Sequence, residues 1–188
     1  DKLISNLKEG QYVIPDFQRE FEWHPKDIRD LMRSIFLDYY IGSLLIWKGK
    51  PSNFRALSCE DVYGYSGARR NKQYIVLDGQ QRLTAMHYAF VAPDKTLPKK
   101  SSIARYYMRV DRFMAGEHDD TFGYEFLSKK WENIFNNQEV QFSLHIFPLA
   151  LIGSEKLELF KWIQGYQDYW VAEAQKSLSV DPDASARA

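Results

Sequence analysis

The chain of 188 residues contains a single cysteine, Cys59, so no internal disulfide framework can staple it. It carries no excess charge of either sign, because 25 basic and 25 acidic side chains cancel to a formal net charge of zero. That balance argues against a surface that grips nucleic acid on all sides and leaves room for a local basic groove. No apolar run is long enough to span a bilayer, so no membrane partner is expected. No signal-peptide pattern opens the chain, and Asp1 stands where an initiator Met would, so a trimmed chain and a cytoplasmic location are the expectations. Gly49-Lys50 runs into Pro51 rather than Ser or Thr, which removes the only approach to a phosphate-binding P-loop, and no Gly-x-Gly-x-x-Gly follows a strand pattern. The four histidines, His24, His87, His118 and His145, are dispersed at spacings that suit no zinc site. His87 reads as a packed or surface imidazole and Cys59 as an ordinary loop thiol. There is no His-Asn-His arrangement and no paired carboxylate cluster for two-metal chemistry, so the chain is not expected to cut DNA by itself.

What is present is material for a core. Hydrophobic residues make up 45% and aromatics 15%, and a domain of this size buries roughly 70% of its unfolded surface. Leu3, Ile4 and Leu7 mark a short helix over 2–8, and Tyr12 to Ile14 a short strand. Pro25, Asp27 and Asp30 suit a helix start, and Ile28, Leu31, Met32, Ile35 and Phe36 recur at helical spacing, which predicts a helix over 25–38. A strand is expected over 43–48, and a loop or mobile-tipped hairpin over 49–72. Strands follow at 106–110 and 142–147, with a helix between them near 122–135. Leu157, Phe160, Ile163, Gln167, Trp170 and Ala174 predict a long helix over 154–177. Mixed strands and helices, with helical material towards the end, give an α+β fold.

The most informative stretch is Gln73 to Thr84. Tyr74 to Leu77 reads as a buried strand that stops at Asp78-Gly79, and Leu83, Met86 and Phe90 begin a helix directly after it. Such a corner leaves backbone N–H groups pointing outward, where they attract anions. Arg82 adds a planar, permanently charged fork, and Gln80 and Gln81 add amides. Two local readings stay open: Asp78 caps the helix and pairs with Arg82 four residues on, or it belongs to a binding site. Asp78 also offers a carboxylate of the kind that holds Mg²⁺ together with phosphate oxygens. Earlier in the chain, Pro15 stiffens a loop that presents Gln18 and Arg19, with Phe17 and Trp23 as aromatic neighbours. Core packing is the expectation for Phe17, Phe21 and Trp23. Arg69-Arg70-Asn71-Lys72 is either a backbone-contacting loop or a solvated turn.

Leu77-Asp78-Gly79-Gln80-Gln81-Arg82-Leu83-Thr84 resembles the signature of the ParB-like domains at the N-terminus of GmrSD-type, modification-dependent restriction enzymes. Ile14 to Trp23 is similar to that family's first block, and Asp30 through Trp47 to its second, so the resemblance covers roughly residues 3–92. It implies a ParB/sulfiredoxin-like mixed sheet with flanking helices and a C-terminal helical extension. The corresponding organisation is a nucleotide- or DNA-binding domain over 1–150, a helical extension of it over 151–178, and a tail or linker over 179–188.

The resemblance further implies a module that binds and hydrolyses a nucleoside triphosphate within a defence protein. On that reading Asp78, Gln81 and Arg82 are catalytic; Gln18, Arg19, Gly79, Gln80 and Arg82 bind the nucleotide; and Asp78 holds Mg²⁺. The implied partners are DNA carrying a modification and a nuclease domain, either C-terminal or on a separate subunit. A homodimer is one arrangement left open. The alternative is a reader of modified DNA with little or no hydrolysis.

Overall fold

The apolar run before the corner becomes an inner strand, as its β-branched residues dictate. A computed structural model describes residues 2–67 and 72–180. Most of the 69–72 basic stretch and residues 181–188 of the expected tail lie outside the described residues. Tyr12–Ile14 forms β1, Leu45–Lys48 β2, Glu60–Asp61 β3 and Tyr74–Asp78 β4, in one sheet of order β2-β4-β1-β3. β1 and β4 run parallel, with Val13 opposite Ile75, and β2 lies antiparallel to β4 on its other side. Ile75 and Val76 are fully buried, which explains their continuous apolar character.

Helix α1 spans Lys2–Lys8 and α2 Pro25–Phe36. The N–H of His24 donates to Asp27 Oδ2 at 2.7 Å, so Asp27 ties down the start of α2 as well as facing its dipole. Ile28, Leu31 and Met32 point into the core, as the spacing predicts. Two elements occupy the stretch expected to be a loop or a hairpin: α3, Pro51–Ala56, and β3, which pairs with β1. Pro51 sits in the first turn of α3, and Asn53 Oδ1 accepts from the N–H of Lys50 at 2.8 Å. Read locally, those polar residues are a helix start rather than a turn.

Helix α4, Gln80–Met86, leaves the corner and continues as a π-helical turn, His87–Val91. The second half holds an antiparallel sheet of β5, Ala104–Arg109, β6, Phe122–Phe126, and β7, Ile146–Pro148, in the order β6-β5-β7. Between them lie α5, Val110–Met114, α6, Lys129–Asn136, and α7, Gln138–Ser143. The helix expected near 122–135 is therefore a strand followed by a helix capped by Ser128, whose Oγ accepts from the N–H of Trp131. The strand expected at 142–147 is shortened, because Asn137 caps α7 and draws Phe142 into it.

Leu149–Gly153 forms a 3₁₀ turn before α8, Lys156–Val180. Of the residues whose spacing predicts this last helix, Trp170 packs on the body and the other large apolar ones do not. Trp162 lodges against Phe142 and Phe147, while Leu157, Phe160 and Ile163 face solvent. The architecture is mixed α+β with a C-terminal helix, as expected. Among the described residues no helix is long and apolar enough to cross a membrane.

Candidate functional site

The corner is built around a residue without a side chain. Gly79 takes φ +91°, a left-handed conformation, and a Cβ there would collide with the Leu44 side chain. Gly79 itself occupies the cap position of α4, so Asp78 does not cap the helix. Its carboxylate is exposed and lies 3.4 Å from Arg82 Nη2. The first backbone bond of α4 runs from Leu83 N–H to Gly79 C=O at 2.9 Å. The N–H groups of Gln80, Gln81 and Arg82 therefore have no intrahelical acceptor and define the anion-attracting end of the helix.

Arg82 reaches across to the second block. Nη1 donates to the Ile41 carbonyl at 3.0 Å and Nη2 to the Ser43 carbonyl at 2.7 Å. Between those carbonyls sits Gly42, at φ +83°, whose missing side chain leaves the space the guanidinium occupies. A fork of fixed planar geometry suits two carbonyls two residues apart, and lysine could not span both.

Gln81 ties the corner to the first block. Its side chain is only 7% exposed; Nε2 donates to the Glu20 carbonyl at 2.9 Å, and Oε1 accepts from the Glu22 N–H at 3.0 Å. Gln18 makes a related link, its amide donating to the Val76 carbonyl one residue past the last β1–β4 register pair. These bonds bring the three sequence blocks into one place.

A cavity of about 380 Å³ opens where they meet, lined by Gln18, Arg19, Trp23 and the run Leu77 to Arg82. Every residue that sequence reasoning assigned to the site lines it. Arg19 and Arg82 outweigh Asp78 there, so the lining carries a net positive charge against the neutral whole. Arg19 is exposed and makes no hydrogen bond or ion pair with the described residues, and the Gln80 amide is likewise uncommitted. A smaller cavity of about 190 Å³ shares Gln18, Arg19 and Gln80 but is otherwise lined by Asp16, Glu20, Glu60 and Asp61, among others. Arg19 thus stands between a cationic recess and an acidic one.

The aromatic neighbours divide. Phe21 is buried and stacks with Tyr63 and Tyr88, as expected of a core residue. Trp23 is half-buried and faces the cavity. Phe17, expected in the core, is 66% exposed, because the turn that follows Pro15 carries it outward. Sequence reasoning missed the contributions of Ile41, Gly42 and Ser43; the Gly-Ser pair just before a strand was the available signal. Behind the cavity, burial pushes the pKa of His87 down to about 4, against a smaller opposing effect of its contact with the Tyr63 carbonyl, so the ring is neutral. Burial also raises the Cys59 thiol, against the weaker pull of Lys72. Among the described residues no group of three or more His, Cys, Asp or Glu side chains is placed to hold a metal.

A family model described as the N-terminal domain of GmrSD restriction endonuclease matches residues 1–177. An uncharacterized protein of Methanocaldococcus jannaschii is 25% identical over 183 residues, covering 91% of this chain but 31% of that relative. The chain therefore spans about a third of the relative's length.

Proposed function

Since the chain belongs to the family of GmrSD restriction endonuclease N-terminal domains, and is thus a component of a restriction system, we propose that its cleft binds a nucleoside triphosphate and hydrolyses it in support of DNA restriction. The observation that carries this reading is Arg19: a guanidinium unpaired among the described residues, at a recess that also holds free helix N–H groups and a second, clamped arginine. An unpaired cation beside an anion-attracting helix end has its counter-charge still to come. Arg19, the side-chain amide of Gln80 and the backbone N–H groups of Gln80 and Gln81 bind phosphate oxygens. Arg82, held on its two carbonyls, lends fixed positive charge where negative charge builds as the terminal phosphoryl group departs. Trp23 offers a face to the base. Asp78 orients the attacking water. Asp78 would also hold Mg²⁺, as the one carboxylate that the described residues bring to this lining. Bound there, Mg²⁺ would neutralise phosphate charge. Gln81, whose amide is occupied at both ends, positions the loop rather than the phosphate.

The wider setting is DNA bearing a modification, with strand cleavage assigned to a nuclease domain or subunit outside these residues. One feature favours a second reading, in which the cleft reads DNA with little hydrolysis. Phe17 is exposed next to Gln18 and Arg19, and Tyr40, 90% exposed, precedes the Ile41 carbonyl that holds Arg82. Both rings are available to stack on bases. Turnover of each nucleotide, measured with and without modified DNA, separates the two. The hydrolysis reading expects turnover that Asp78→Ala reduces more than it reduces nucleotide affinity. No turnover under any condition, with salt-dependent DNA binding that Arg19→Ala weakens, selects the reader.

A further inference from the structure

Helix α8 has two apolar faces, and the fold uses one. Leu159, Trp162, Tyr166 and Tyr169 pack onto the body of the protein. Leu157, Phe160, Ile163 and Val171 are turned to solvent, Phe160 at 64% and Val171 at 57% exposure. At 3.6 residues per turn the exposed set falls on one stripe with Gln164, Gln167 and Ala174, the three- and four-residue spacing of a helix-pair seam. Single exposed apolar side chains are ordinary, whereas a stripe running along most of a 25-residue helix, roughly 37 Å long, is not.

The residues flanking the stripe identify its occupant. Lys161 and Asp168 lie on one flank, two turns apart, and neither makes an ion pair with the described residues. Ile163 and Trp170 lie on the other flank at the same separation; Trp170 is half-buried, its indole N–H donating to the Phe142 carbonyl at 3.1 Å and its ring stacked on His145, so it offers a partner only its remaining exposed edge. In a parallel pair of these helices each flank meets the opposite one, which sets Lys161 and Asp168 against Ile163 and Trp170. In an antiparallel pair each flank meets itself reversed. Lys161 then faces Asp168 of the second copy, and Ile163 faces its Trp170. The first pairing centres between Gln164 and Gly165 and the second between Tyr166 and Gln167, one residue to either side of the point between Gly165 and Tyr166. The seam closes about that point, with Phe160 against Val171, Leu157 against Ala174, and the Gln164 and Gln167 amides meeting at the centre.

From this match of charge to charge and apolar to apolar, we propose that α8 joins two copies of this protein as an antiparallel helix pair. A symmetric, self-complementary patch is what a twofold dimer requires.

The test is sedimentation equilibrium on the whole protein carrying this chain. The wild type is expected to be a dimer, and Phe160→Glu a monomer with an unchanged circular dichroism spectrum. Lys161→Glu and Asp168→Lys each weaken the dimer about tenfold by setting like charges together, and the double exchange restores it. Mixing Leu157→Cys with Ala174→Cys protein yields a cross-linked heterodimer faster than either variant alone. A monomeric wild type, a dimer indifferent to Phe160→Glu, or a double exchange no tighter than its single variants overturns the proposal.

Discussion

The floor of the cleft and its rim are made from the same residue types and differ in what those residues have left to bond. On the floor, Arg82 spends its fork on the Ile41 and Ser43 carbonyls, and Gln81 spends both ends of its amide on Glu20 and Glu22. On the rim, Arg19 spends nothing on the described residues, and Phe17 next to it stands in solvent. An arginine whose donors are occupied supplies a fixed charge; one whose donors are open supplies a grip. Hydrogen-bonding capacity left unused thus separates the residues that meet a ligand from those that shape the place where it is met.

The largest effect that can test this division lies on the floor. Gln81→Ala strands the Glu20 carbonyl and the Glu22 N–H and opens space behind them, and is expected to cost about 3–4 kcal/mol in urea unfolding. A loss below about 1 kcal/mol would mean that the floor is as loose as the rim.

A second test concerns His87, in the turn that prolongs α4. Its folded pKa, about 4, lies below the ordinary 6.5. The unfolded chain therefore takes up a proton that the folded one refuses. Stability is full above pH 6.5, falls as pH drops through the window from 6.5 to 4, and levels off below that. The expected loss is about 3 kcal/mol, and His87→Leu flattens this part of the pH profile.

Third in size is Gly42→Ala. It forces a left-handed conformation on an L-residue and pushes a methyl group at the Arg82 guanidinium, for a loss of about 2 kcal/mol. If Arg82 is mobile instead of clamped, the methyl group is accommodated and only the backbone cost remains.

The smallest stability effect belongs to the rim. Arg19→Ala is expected to leave the unfolding midpoint within about 0.5 kcal/mol while weakening triphosphate binding about tenfold, the scale of one charged hydrogen bond. Stability lost without any change in affinity would return Arg19 to the fold and reverse the comparison.

Much of this was legible in the sequence, and the failures share a cause. Helix α2 announced itself through Pro25 and five apolar residues at regular spacing, and β4 through an unbroken apolar run. The corner was legible because Asp78-Gly79 interrupts one periodicity and another starts at once. What could not be read was the destination of each polar side chain, because the partners of Gln81 lie 59 and 61 residues away in sequence. Phe17 escaped for a similar reason, since composition gives an aromatic residue no instruction about which way a turn will carry it. Helix α8 was recognised as a helix, but most of the apolar spacing that revealed it faces solvent. Periodicity identifies a stripe only when its opposite is polar, and both faces of α8 are apolar. The 122–126 strand is five residues long, too short for alternation to outvote the helical pattern after it.

The passage of Arg82 over Gly42 has a consequence for anyone who would move this recess to another scaffold. The short run from Asp78 to Thr84 is not a transferable cassette. Its guanidinium is aimed by carbonyls about forty residues earlier in the chain, and its helix start is pinned by an amide clamped to a loop earlier still. Grafted alone onto a foreign strand and helix, the same residues would keep their charges and lose their directions. A workable graft has to carry three separate segments, with Gly42 among them.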